Sequence, residues 1–420
     1  MQDRRPEKLL GMPPEKGRWA LVVAGLIINL CLGAVYSWSV FVQPLTGYFT
    51  GSLGQAVTVN DMLMPYSVIL AVFAVTMALT GTFVETHGPR NVTVAGCVLT
   101  GLGWLLASLA SSAAMLSLMY GVVGGIGIGI AYGATVAVAA RWFPDRRGLA
   151  VGLTVFGVGF SAVATANLAG YLIAAYGVMN TFRIFGLGII IVTVPLALPL
   201  AFPPAGWRPA GWNPPVPGEG GHAMCECNRR EMVKSPAFYG LWACYFIGCT
   251  AGLMAVSISQ PVGTEVVHVG TGLATVLVGF FAVFNGSGRP GFGVLTDRLN
   301  PKNTAMISFV LIALAALLMW QVPAVPVYII AFAVLWGCLG GWLAIAPTAT
   351  AHYFGTCDYP RCYGLVFLAF GAGAIAGPQL AGFIRTTTGN YLGVFPYVLA
   401  LAVIGFFIAF VLMKPPKQKS

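Results

Sequence analysis

The sequence predicts an all-α membrane protein with twelve transmembrane helices in two pseudo-symmetric six-helix bundles. Three observations carry that prediction. The 420 residues are 58% hydrophobic and only 8% charged, whereas soluble domains carry about 25% charged residues and need a polar exterior. Apolar runs of about 20 residues, long enough to cross a bilayer core, recur along the whole chain. Short motifs in the first half return at matching places in the second.

The chain opens on a charged tail, 1–18. The apolar run that follows continues for about 25 residues, too long for a cleavable signal core. Spans are expected at 19–43, 61–84, 91–110, 113–140, 149–173 and 180–202, forming an N-terminal bundle over 19–202. A linker rich in proline, glycine and charge covers 203–236 and ends in Ser235-Pro236, an N-cap followed by proline in the first turn. The C-terminal bundle, 237–413, holds spans at 237–262, 272–296, 303–322, 325–350, 362–384 and 391–413, before a tail at 414–420. Period-2 alternation is absent, which argues against a barrel.

The net charge of +10 is spread over short loops rather than along one face, so it does not read as a nucleic-acid surface. It reads as orientation. With both termini cytoplasmic, the inner loops and tails collect nearly every Lys and Arg, and the outer loops hold only Arg183 and Arg385. This predicts a multi-pass protein of the inner or plasma membrane, expected as a monomer. One base is left over, Arg289, inside the eighth span. Five of the nine cysteines, Cys31, Cys97, Cys244, Cys249 and Cys338, lie in apolar runs as small hydrophobes. His222, Cys225 and Cys227 cluster in the linker without an evident fourth ligand, so neither metal nor cofactor is expected.

The echoes are specific. "GTFVETHGPR", Gly81 to Arg90, follows the second span, and "GVLTDRLNPK", Gly293 to Lys302, follows the eighth. Both read glycine, three residues, an acid, then a base. "ARWFPDRRGLAVG" follows the fourth span and "AHYFGTCDYPRCYGLVF" the tenth. A duplicated six-plus-six bundle is a transporter plan with its site near the midplane between the halves.

These residues resemble the major facilitator superfamily, over essentially the whole chain. "YSW" (Tyr36 to Trp38), "RWFPDRRGLAVG" (Arg141 to Gly152) and "FNGSGRPGFG" (Phe284 to Gly293) resemble its oxalate/formate antiporter family, with the bacterial monocarboxylate carriers. The loop motifs depart from the pattern in two places. Glu85 stands for the usual Asp, and Leu299, Asn300 and Pro301 follow Arg298. Gly81, Glu85, Arg90, Asp145, Arg146, Gly293, Asp297 and Arg298 are expected as conformational latches, pairing across cytoplasmic helix ends.

All twelve acids and all four histidines sit in loops or at helix ends, so Arg289 has no evident membrane partner. Insertion of an unpaired arginine costs at least about 2.5–3.5 kcal/mol, and arginine does not deprotonate. Snorkelling is the bland alternative. Arg289 stands eight residues before Asp297, about 12 Å from the helix end, farther than a side chain reaches comfortably. A small anion is therefore expected to bind there, and a carboxylate suits the planar guanidinium.

The resemblance implies that this arginine binds the substrate carboxylate, that Asn285 one turn earlier donates to its second oxygen, and that Tyr36 and Tyr132 line the pocket. The oxalate carrier's second cation, a lysine in the eleventh helix, aligns with Phe370, and a glutamine of its first helix aligns with Val35. One cation and a more apolar wall imply a monocarboxylate such as lactate, pyruvate or formate. Proton-coupled carriers of animals have an aspartate where Asn285 stands, so anion exchange or facilitated diffusion is expected over a dedicated proton relay. A proton carried by the substrate stays open. The alternatives are a dicarboxylate exchanger of the oxalate/formate type and, from another class, an anion-sensing membrane receptor. No acid–base pair or nucleophile sits at membrane depth to suggest an enzyme.

Overall fold

The computed structural model describes residues 9–204, 207–209, 229–355 and 359–414. The His222, Cys225 and Cys227 cluster lies outside them. Helices α1 to α6 are Pro14–Ser52, Val59–His87, Pro89–Ala107, Ala113–Trp142, Leu149–Tyr176 and Val178–Ala197. Helix α7 is Pro236–Glu265. The stretch Thr271–Gln321 is split by non-helical backbone at Asn300 into α8 (271–299) and α9 (301–321). Val325–Phe354, Tyr359–Thr388 and Val394–Leu412 are α10, α11 and α12. Twelve spans thus stand among the described residues, as the apolar runs predict.

Local sequence sets several ends. Thr58 and Asp61 form a reciprocal capping box at the start of α2, which accounts for one of the few acids. Ser235 accepts from the Ala237 amide at 3.3 Å, with Pro236 in the first turn of α7. Before α3 the chain turns through Gly88 (φ 76°, ψ 154°) into Pro89, and before α9 through Asn300 (φ 70°, ψ 160°) into Pro301. A positive φ with an extended ψ is open to glycine and strained for any other residue, Asn300 included. Asn300 also accepts from the Asn303 amide at 3.1 Å, capping α9.

The duplication extends to tertiary contacts. Trp142 at the end of α4 donates from Nε1 to the Ala201 carbonyl, 2.7 Å away, just past α6. Tyr353 at the end of α10 donates from its hydroxyl to the Met413 carbonyl, 3.4 Å away, just past α12. Each bundle therefore ties its sixth helix back to its fourth by an aromatic donor at the same repeat position.

α1 and α5 are irregular where they cross. α1 tightens to a 3-10 turn over Gly33–Ser37, and α5 breaks at Ser161, whose hydroxyl donates to the Leu30 carbonyl at 2.6 Å. A β-carbon at Gly33 would meet the Val158 carbonyl and the Ser161 Cβ at 2.6 Å, so only glycine permits the approach. Such backbone is tolerated at membrane depth because protein surrounds it. The tightened turn carries Val35 and Tyr36 into the interior, each 2% exposed.

The halves meet along two seams, α5 against α8 and α2 against α11. Far from the termini they are fastened. Gln43 donates to Thr264 at 3.1 Å, Gln379 donates to Ser67 at 3.3 Å, and a β-carbon at Gly170 would lie 2.9 Å from Thr275. Toward the end that carries the termini they loosen. A β-carbon at Gly364 would reach Ala78 only at 3.4 Å, and Gly152 on α5 and Gly293 on α8 face open space.

At that end Arg18 forms a bidentate pair with Asp145 (2.6 and 2.9 Å) beneath the Phe143 ring. Those hydrogen bonds hold the Asp145 carboxyl below the usual carboxylate range. A depressed value stabilises the fold above the unfolded pKa of about 4, and the contribution disappears as pH falls through the lower folded value. Asp145→Asn is therefore expected to lower the thermal midpoint in detergent by a few degrees at pH 7. The gap to wild type should close in acid. A constant gap across pH would mean that the ion pair is not its source.

Candidate substrate site

Arg289 on α8 is 6% exposed and lies against α5 of the other half. Its Nη1 donates to the Val155 carbonyl, while Nε is buried without a partner. Among the described residues no carboxylate pairs with it. The cation is thus solvated on one side by a backbone dipole and carries an unanswered charge on the other.

Asn285, one turn earlier, is fully buried. Its Nδ2 donates to the Trp336 carbonyl of α10 at 3.1 Å, and its Oδ1 has no partner. Because the partner is a carbonyl, the amide orientation is fixed. One N–H of the amide is thus committed to Trp336, which leaves a second N–H and the unpaired Oδ1.

Gly159 on α5 makes room for both side chains. A β-carbon there would lie 2.6 Å from Asn285 Oδ1 and 2.9 Å from Arg289 Nε. The free acceptor and the free donor therefore converge on one point at the seam.

Tyr36 and Tyr132 both lie within electrostatic reach of Arg289. The Tyr36 ring is 6.4 Å from Trp336, whose Nε1 donates to Ser259 at 2.9 Å. Tyr132 packs edge-on against Phe73 at 5.3 Å. Phe73 in turn packs against Phe370 at 5.9 Å and Phe367 at 5.6 Å, and those two stack at 5.1 Å. Phe370, fully buried, therefore belongs to an aromatic wall built by α2, α4 and α11. Val35 lies beside Tyr36 in the 3-10 turn. Four residues of this site escaped sequence reasoning. Val155 acts through its backbone, which no side-chain pattern betrays. Gly159, Phe73 and Trp336 look like ordinary packing residues within apolar runs.

The expected latches divide. Glu85 pairs with Arg141 rather than Arg90, tying the ends of α2 and α4, and both side chains are largely exposed. Asp145 pairs with Arg18 of its own half. Arg90, Arg146, Asp297 and Arg298 are exposed and form no ion pair among the described residues. Gly81 begins the last turns of α2, and Gly293 faces open space. The ion pairs seen here hold one bundle together instead of bridging two.

Comparisons with known proteins agree with this architecture. The family model of the Major Facilitator Superfamily matches residues 23–340 and 254–420. The chain is 29% identical to the oxalate:formate antiporter of Oxalobacter formigenes, over 89% of this chain and 86% of that one. It is 26% identical to monocarboxylate transporter 13 of Bos taurus, over 94% and 89%. Among solved structures, a bacterial homologue of the human lysosomal transporter Spinster, inward-facing and unoccupied, superposes with a TM-score of 0.68 at 15% identity. That match covers 96% of this chain and 99% of the other.

Proposed function

The chain belongs to the Major Facilitator Superfamily, a multi-pass membrane transporter, and from that premise we propose that it carries small monocarboxylate anions by alternating access. The observation that carries this reading is Arg289, a buried cation at the seam with no anion paired to it among the described residues. A bound carboxylate supplies the missing charge, and neutralising it lowers the cost of closing the site around it. The loosened end, which holds the termini, is then the cytoplasmic mouth, as the distribution of basic residues suggests.

Geometry narrows the class. The ligand meets guanidinium donors beside one unpaired acceptor, Asn285 Oδ1. A bare carboxylate oxygen placed against that acceptor is repelled. A 2-hydroxy acid such as lactate satisfies both, with its carboxylate on Arg289 and its hydroxyl donating to Asn285. Pyruvate has no such hydroxyl and leaves the acceptor unpaired, which weakens its binding by about 1–3 kcal/mol. Tyr36, Tyr132 and Val35 line the pocket in this reading. The Phe73, Phe367 and Phe370 wall offers nothing to a second carboxylate. Exchange of anions or facilitated diffusion fits a site where, among the described residues, no carboxylate pairs with Arg289, and the protein acts as a monomer.

Likeness to an oxalate:formate antiporter favours a second reading, dicarboxylate exchange. Uptake of labelled lactate, pyruvate and oxalate into proteoliposomes separates the two. Lactate is expected to be carried best and pyruvate about fivefold to a hundredfold less well, with oxalate neither carried nor competing. Oxalate uptake equal to lactate uptake would sink the single-carboxylate site.

A further inference from the structure

The two halves carry one tie in two chemical versions. At the end of α2, Glu85 pairs with Arg141 of α4. Aligning the paired motifs through Trp142-Phe143 and Tyr353-Phe354, all four rings buried, sets Arg141 opposite His352 and Glu85 opposite Asp297. The equivalent tryptophan and tyrosine hydrogen bonds to the ends of α6 and α12 support that register. The pair that is permanently charged in the N-terminal half thus corresponds in the C-terminal half to an acid and a histidine.

That acid and that histidine line the same pocket. Asp297 and His352 line one cavity of about 540 Å3 at the terminus-bearing end, along with Arg298, Asn300, Asn303 and Thr348. Among the described residues, His352 Nδ1 is buried without a hydrogen-bond partner, and the only other charged group lining the cavity is Arg298 of α8. Tyr353 packs edge-on against the imidazole at 5.7 Å, and Lys302 of α9 is directed at the Phe410 ring, 4.6 Å away. Asp358 lies outside the described residues.

We propose that His352 and Asp297 form a proton-dependent tie between the ends of α10 and α8. Protonated, His352 becomes the counterpart of Arg141 and pairs with Asp297, completing in the C-terminal half the link that the N-terminal half always has. Neutral, it leaves the two helix ends unlinked. Histidine is the side chain whose charge changes between about pH 5 and 8. The device makes the C-terminal bundle stiffer in acid on that side, whatever the cargo is, so it stands or falls independently of the carboxylate reading.

The test is the thermal midpoint of the full chain in detergent from pH 5.5 to 8, for wild type, His352→Gln and His352→Arg, each with and without Asp297→Asn. Wild type is expected to exceed His352→Gln by about 2 °C at pH 5.5 and to match it at pH 8. His352→Arg should exceed His352→Gln at both. Asp297→Asn should erase these differences. Parallel wild-type and His352→Gln curves across pH would overturn the proposal, as would a difference that survives Asp297→Asn. If His352→Arg does not fold, the Gln and Asn comparisons still decide.

Discussion

Arg289→Gln is expected to abolish carboxylate uptake while leaving a folded protein. Glutamine keeps an N–H that can face the Val155 carbonyl, so the neutral contact between α8 and α5 has a replacement. It removes the charge, and with it the only attraction strong enough to draw an anion out of water into this seam. Breaking one side of a desolvated charge pair costs about 3–5 kcal/mol, which is a loss of about a hundredfold or more in apparent affinity. The variant also sheds the insertion penalty of a buried arginine, so its thermal midpoint should equal or exceed that of wild type. Labelled lactate counterflow and a detergent melting curve measure the two effects. Uptake within a few-fold of wild type would make Arg289 a strut between the halves and end the carboxylate reading.

Gly159→Ala is expected to have the next largest effect. Its methyl group would lie 2.6 Å from Asn285 Oδ1 and 2.9 Å from Arg289 Nε. Both are ends of side chains, so they can move aside without unfolding the helix, but moving them destroys the convergence of donor and acceptor. Misplacement on the ångström scale at a reacting or binding centre costs about tenfold to a hundredfold. Lactate uptake should fall by at least about tenfold, with expression and melting unchanged. Gly152→Ala, two turns away on the same helix and facing open space, is the control that should remain near wild type. Equal activity of the two variants would remove Gly159 from the site.

Much of the fold was legible because membrane helices obey few rules. Length, hydropathy and the two echoed loops located the twelve spans, including the separation of α8 from α9 that non-helical backbone at Asn300 makes. The duplication was legible as a word pattern, but its mechanical meaning was not. Only coordinates show that Trp142 and Tyr353 tie equivalent helix ends. At the site, Arg289 was legible because a charge in an apolar run demands an explanation. Asn285 was legible as a position and not as an orientation, since its role turns on which atom the Trp336 carbonyl engages. Gly159 was invisible for a different reason. A glycine that serves by absence looks the same in a sequence as one that serves by packing, and the membrane spans are full of the latter.

The paired aromatic ties also bear on how the molecule is made. Because Trp142 reaches only to Ala201, and Tyr353 only to Met413, each bundle is fastened by contacts confined to its own stretch of chain. The N-terminal bundle has every partner it needs for that closure once α6 has been synthesised, before any of α7 exists. Insertion can then proceed as two successive acts of the same kind. The seams form last, between two finished objects. Surfaces that meet as finished objects can part again without disturbing what is inside either one, so on the alternating-access reading the halves would part along the plane where they were joined.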